Sequence, residues 1–276
     1  MSSRLIGTAL AACLFTTTAA YATSSTPWTF ATPPRGSHQR QLYRPLVRYL
    51  AQVTGHPVRF VGTHSWMVYS VNQAQGRYTF VFDGPTFTAW RDEHLHYRPL
   101  VRLSGPMAFD IVTTNPKIQT LRQLDGRVVC ANALPNLATM VLMRHVSNID
   151  GPYLLPQHGI AGDYRGIMTH TCVATILPAA FMASVGSSRF AHTIYTSRPY
   201  RNLALSTSPR VPAGLRRRIR DALLGPRGLQ ILRQLYPRQP NVRFRYATVA
   251  NYAPYAAALD HLAGFQDMIP KKDRSF

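Results

Sequence analysis

Early in the chain, short apolar runs alternate with helical patterns, and that rhythm restricts the fold more than any other feature. Residues 28–32 (WTFAT) read as a strand, which the loop Pro33-Pro34-Arg35-Gly36-Ser37 breaks. A helical pattern follows, with Leu42, Leu46, Leu50 and Val53 on one face. Proline cannot donate to the hydrogen-bond ladder of a helix interior, so Pro45 predicts that the regular helix starts or kinks there. Gly55 predicts its end. Residues 58–61 are the next expected strand, 66–76 a helix and 78–82 a third strand. Such a β-α-β-α-β order requires crossover connections, and crossovers build a mostly parallel sheet with helices over its faces.

The third strand stops at Asp83-Gly84-Pro85, and Thr86-Phe87-Thr88-Ala89-Trp90 follows at once. Gly84 lets a backbone approach a ligand. Pro85 is pre-shaped for a first helical position. The stretch therefore reads as a strand-to-helix turn whose N–H groups and helix dipole favour an anion, with Thr86 and Thr88 as added hydroxyl donors. A plain structural turn would give the same local pattern.

Further on, residues 97–114 read as two strands around Ser104-Gly105-Pro106. Thr120 caps a short helix that Gly126 closes, and 127–131 is a strand. Residues 137–146 are helical by pattern, 147–166 are turn-rich, and 168–174 fit helix or strand equally. Residues 194–196 form a short strand. From Pro212 a helix carries Leu215, Ile219 and Leu223 on its apolar side, with Gly225 as its stop, and 229–235 continue in helix. The tail from about Arg243 packs back on the first part of the chain.

Composition bounds the partners. The formal net charge is +20, from 31 basic and 11 acidic residues, and all but three of the basic residues are Arg. Such a chain is drawn to phosphate backbones, anionic lipid or small anions. An Arg-rich genome or an acidic habitat would produce the same bias. The basic residues are spread along the chain, and the one dense tract, 216–220 (RRRIR), has the spacing of a solvated helix face, which argues against nucleic acid. At the N-terminus a short positive MSSR precedes an apolar run and Ala20-Tyr21-Ala22, a small-x-small cleavage pattern. The run is too short to span a bilayer, which needs about 20 residues. Residues 1–22 therefore read as a cleaved export signal, leaving a soluble periplasmic chain. Leu10-Ala11-Ala12-Cys13 resembles a lipobox and is the lipid-anchored alternative. Of the cysteines that remain, Cys130 and Cys172 either pair or stay as two buried thiols. No cysteine or histidine cluster has metal-ligand spacing.

The order of these signals resembles the phosphate/phosphite/phosphonate-binding family of periplasmic solute-binding proteins, which have the type II two-lobed fold. The matching pieces are FATPPRGS, YRPLVRYLAQVTGHPVRFV, YTFVFDGPTFTAW, IQTLRQLDGRVVCAN and VPAGLRRRIRDALLG, in family order over about residues 28–235. The resemblance implies an α/β protein of two lobes, each a mixed, mostly parallel sheet flanked by helices, joined by a two-strand hinge. One lobe would hold residues 27–110 plus 200–276 and the other 111–199. The ligand would be a small anion bound between the lobes, with hinge closure around it. The partner would be the membrane permease of an ABC importer, or a membrane sensor if the module reports ligand rather than delivering it. A monomer without cofactor or metal is expected.

The loops at the C-terminal ends of parallel strands should meet at the cleft. From the first lobe they offer Arg35, Ser37, His64, Ser65, Asp83, Gly84 and Thr86. Arg35 is the best charge partner, since its fork matches an oxyanion. His64 donates to an anion or caps a helix. Asp83 accepts from a ligand hydroxyl or amine, holds Arg35, or is structural. In the second lobe the family's anion cradle is a Ser/Thr-rich turn; here it reads NALPNLAT, leaving Asn132, Asn136, Thr139 and backbone donors. His158 in LPQHG matches a family histidine. The segment MTHTCVATIL, where the family places an acidic residue, has none, so a cationic amine finds little partner there. His170 is a further candidate, though a satisfied half-buried histidine is the better reading, and Tyr69, Phe87, Trp90 and Tyr195 read mostly as core, with one of them able to wall the pocket.

Catalysis needs a nucleophile with a base, paired carboxylates or a metal. The carboxylates are few and scattered, and neither Gly-x-Ser-x-Gly nor His-Glu-x-x-His occurs. A binder is expected rather than an enzyme; an exported enzyme or a polyanion-binding protein is the reading from another class.

Overall fold

The computed structural model describes residues 26–34, 38–146, 149–186, 190–237, 239, 241–260 and 262. Residues 1–22, read above as an export signal, and Cys13, Arg35 and Ser37 lie outside the described residues.

The chain begins with the expected alternation: β1 (Trp28–Ala31), α1 (Gln39–Thr54), β2 (Val58–Val61), α2 (Trp66–Ala74), β3 (Phe80–Asp83) and α3 (Pro85–Leu95). Gly84 is the N-cap of α3 and Pro85 its first residue. Two sequence expectations for α1 need correction. The helix begins before Pro45 and continues past it, and the carbonyl that Pro45 cannot serve belongs to Gln41, an exposed residue that water can satisfy. The buried face is made by Tyr43, Leu46, Val47, Tyr49 and Leu50, while Leu42 is exposed. Tyrosines can fill a core face if their hydroxyls find partners. Tyr49 does so, donating to the Ala222 carbonyl (3.0 Å).

After α3 come β4 (Arg98–Leu103), β5 (Pro106–Met107) and β6 (Phe109–Thr113). A 3-10 turn, 121–124, is closed by a capping box between Thr120 and Gln123. Then follow β7 (Val128–Ala131), α4 (Leu137–Met143), β8 (Tyr153–Pro156), α5 (Gly159–Met168), β9 (Ala174–Pro178), α6 (Ala179–Val185) and β10 (His192–Thr196). The last part holds β11 (Tyr200–Arg201), β12 (Ala204–Thr207), α7 (Ala213–Leu224), α8 (Pro226–Arg233) and β13 (Phe244–Tyr246). Short 3-10 turns at 249–251 and 253–258 follow.

These strands form two sheets and a ribbon. The first sheet has the order β13-β4-β12-β3-β1-β2, the second β10-β6-β9-β7-β8, and β5 and β11 form a two-stranded antiparallel ribbon. Each sheet is mixed. In the first, β1 pairs in parallel with β2 and β3, and β12 and β13 return antiparallel. In the second, β7 pairs in parallel with β8 and β9, and β6 and β10 are antiparallel. The chain thus crosses between two sheets twice, through 104–108 and through 197–203. The register places Ala31 beside Val61 and Val81, so β1 and β2 end at one level and β3 runs two residues further, to Asp83. Ala131 lies beside Pro156 in the second sheet.

One core fills the first sheet against α1, α7 and α8, with Phe30, Phe60, Phe82 and Leu205 at its centre. Tyr69, Trp90 and Tyr97 pack on the other face, joined there by Met140 of α4. Ile111, Val129, Val141 and Ile176 form the second lobe's core. Cys130 and Cys172 are joined as a disulfide, which resolves the alternative of two thiols. Helix α5 lies directly on this bridge: a Cβ added to Gly166 would stand 2.3 Å from Cys130 Sγ. No such obstacle exists at Gly84, whose φ of −75° any residue adopts and whose added Cβ meets nothing within 4 Å. Gly166→Ala is therefore expected to destabilise the protein by about 1–3 kcal/mol, whereas Gly84→Ala changes its stability by under about 0.5 kcal/mol; urea denaturation of the two variants checks the contrast.

Candidate functional site

The loops that leave β1 and β2 in one sheet and β7 and β8 in the other enclose a chamber of about 280 Å³. The first lobe contributes Pro34, Thr63, His64 and Trp66, and the second Asn132, Gln157, His158 and Gly159. Of the residues expected from the sequence, His64, Asn132 and His158 thus meet across the cleft. Thr63, from the loop expected there, joins them, as do Trp66, Gln157 and Gly159, which had not been singled out. Thr63 carries the clearest chemical signal: its Oγ1 is buried and has no hydrogen-bond partner. A buried unpaired hydroxyl costs free energy that a ligand acceptor would recover.

Other expected residues are spent on the scaffold. Ser65 caps α2, its Oγ accepting from the N–H groups of Met67 (3.2 Å) and Val68 (3.4 Å). Asn136 caps α4 in the same way, accepting from Ala138 N–H at 2.9 Å. The Thr139 hydroxyl is buried and donates to the Asn132 carbonyl. Asn132 in turn ties the two second-lobe loops together. Its amide donates to Asp163 Oδ2 and its Oδ1 accepts from Gly159 N–H (3.2 Å).

Of the readings open for Asp83, the structure favours the structural one: its carboxylate is 0% exposed and holds Arg91. Arg91, also 0% exposed, donates to both oxygens, at 2.6 Å to Oδ2 and 2.8 Å to Oδ1. Tyr69 and Gln73 of α2 donate to Oδ2 at 2.6 and 3.2 Å, and Thr88 of α3 donates to Oδ1 at 3.1 Å. The guanidinium also donates to Ser206 Oγ of β12 (2.9 Å). Burial pushes the Tyr69 hydroxyl well up from its ordinary value, and the neighbouring Asp83 charge adds to this, so it stays a donor. No lone pair is left for a ligand.

Thr86 faces a second, separate cavity of about 200 Å³, walled by α4, by Arg198 and Tyr200 of the crossover, and by the tail at 254–258. Arg144 and Arg198 are its charged residues. Among the described residues, no carboxylate lines either cavity. Among the described residues, no group of three or more His, Cys, Asp or Glu could hold a metal ion, and no helix is long and apolar enough to cross a membrane.

Two lobes linked by two crossovers, with a cleft at the strand ends, decide the architecture, and known structures share it. The chain has the fold of the type II periplasmic binding proteins. XAC2383 from Xanthomonas citri, bound to ATP, superposes with a TM-score of 0.66 at 13% identity, over 89% of this chain and 100% of that one. PhnD1 from Prochlorococcus marinus, in complex with methylphosphonate, gives 0.67 at 10% identity, over 84% and 98%. An ancestral arginine-binding protein bound to arginine gives 0.53 at 14% identity, over 77% and 99%. No family model and no curated protein matches the sequence.

Two stability changes follow from these networks. Asp83→Asn leaves Arg91 buried without its counter-charge and is expected to cost about 3–5 kcal/mol, read as a lower denaturation midpoint. Asp163 is 1% exposed, and burial pushes its carboxyl up to about 7, against the opposing pull of the Asn132 hydrogen bond. The folded protein keeps a proton that the unfolded chain releases near pH 4, so this group's contribution is complete below about pH 4 and is lost as pH rises to about 7. Asp163→Asn is expected to flatten the decline in stability between pH 5 and 8, as measured by denaturation at both values.

Proposed function

We propose that this protein is a periplasmic solute-binding protein that captures a small oxyanion, of the phosphate, phosphite or phosphonate kind, between its lobes and presents it to a membrane ABC permease. One observation carries the reading: the chamber at the strand ends gathers Thr63, with its unpaired buried hydroxyl, His64, Gln157 and His158 from both lobes, and no carboxylate among the described residues lines it. An oxyanion needs donors, and these side chains supply them. An amino acid would bring an ammonium group that needs an acidic partner. Neither nearby acid lines the chamber: Asp83 is paired with Arg91, and Asp163, whose Oδ2 accepts from Asn132 while its buried Oδ1 has no partner, lies behind Asn132. The ligands named for two structural neighbours, methylphosphonate and ATP, support the same class, since both are phosphorus oxyanions.

The proposal takes in Arg35 and Ser37, which follow the chamber residue Pro34 in the chain. It also takes in Gly84, which caps α3 beside open space. It assigns 27–110 plus 200–276 to one lobe and 111–199 to the other, with closure about the two crossovers. The protein acts as a monomer and binds without catalysing. The Cys130–Cys172 disulfide supports export past the reducing cytoplasm.

Calorimetry and thermal shift with phosphate, phosphite, methylphosphonate and sulfate test the reading. At least one of these anions should raise the melting temperature by mass action. Thr63→Val should weaken its binding several-fold, the equivalent of about 1 kcal/mol for one neutral hydrogen bond. A melting temperature raised by arginine or glutamine and by none of the oxyanions overturns it.

A further inference from the structure

The crossovers also frame a third cavity, of about 540 Å³, on the hinge. Arg102, Arg201 and Arg245 line it together with Ser104 and Tyr255. It shares no residue with the chamber at the strand ends. Tyr200 and Tyr255, whose rings lie 6.1 Å apart, border both this cavity and the one beside Thr86.

The charge arrangement here is unfavourable as it stands. Arg102 of β4 and Arg245 of β13 are direct cross-strand partners, so their side chains rise from one face of the sheet, where like charges repel. Arg201 enters from the hinge ribbon. Among the described residues, none of the three takes part in an ion pair. Arg102 Nε and Ser104 Oγ are buried and have no hydrogen-bond partner. A protein seldom gathers three arginines without a counter-charge and then leaves donors unpaired among them. A multiply charged anion would cancel the repulsion and accept from both orphaned donors, and the guanidinium fork suits phosphoryl oxygens.

We propose that the hinge cavity lined by Arg102, Arg201 and Arg245 is a second anion site, distinct from the interlobe chamber, and that it takes a compact polyanion such as a diphosphate group.

Calorimetry with inorganic pyrophosphate at low salt tests this. Arg102→Gln and Arg245→Gln should each weaken binding about tenfold or more, as expected for loss of a charge-assisted hydrogen bond. Thr63→Val, in the chamber, should leave it unchanged, and so should Arg217→Gln with Arg218→Gln, which removes two charges from the exposed face of α7. Arg245→Gln should also raise the melting temperature of the ligand-free protein at low salt, because it relieves the cross-strand repulsion. Binding that survives both hinge substitutions, that Thr63→Val abolishes, or that the α7 double variant weakens equally overturns the proposal, as does a fall in the ligand-free melting temperature of Arg245→Gln.

Discussion

The first lobe is organised around the buried ion pair of Asp83 and Arg91. Asp83 ends β3, Arg91 sits two turns into α3, and their shared hydrogen bonds reach α2 through Tyr69 and Gln73 and β12 through Ser206. Two charges removed from water hold together only when nearly every lone pair and proton is matched. The network therefore constrains where α2 and α3 begin relative to the sheet. The start of α2 lies at the chamber through Thr63 and His64, and Thr86 in the first turn of α3 lines the second cavity. A buried charge pair outside both linings thus sets where these lining loops begin.

The second lobe solves the same problem with weaker parts. Asn132 reaches from the end of β7 to Asp163 and to the first amide of α5, and Thr139 donates back to the Asn132 carbonyl. The disulfide beneath α5 fixes that helix to the sheet. Between the lobes, Met140 of α4 is buried with the first lobe's aromatic cluster, so the cleft is narrowed by an apolar contact beside polar lining. Arginines gather where the lobes join, while the few carboxylates are drawn into pairs on the scaffold. Among the described residues, none of the three cavities is lined by an acidic residue.

The parts of the fold legible in the sequence were those with local causes. The three alternating strands, the Gly84-Pro85 start of α3, the Thr120 capping box and the amphipathic helix after Pro212 each follow from neighbours within a few residues. Strand β12 was not legible, because ALST has too few residues to show a period and is held by β3 and β4, more than 100 residues earlier in the chain. The same holds within the site. His64, Asn132 and His158 stood out as polar residues at strand ends, but Thr63 gained its meaning only from its burial. Asp83 looked available because its partner, Arg91, lies eight residues on inside a helix, where nothing in the local pattern pairs the two.

Taken alone, the sequence determined the alternating architecture, the excess of positive charge and the turn chemistry at each strand end. Those properties depend on side-chain type and short-range spacing. Which polar residues face the cleft, which serve as caps, and which arginines stand together at the hinge was decided only in the tertiary structure. Each of these outcomes depends on partners brought together from distant segments, and on whether burial leaves a donor matched or alone.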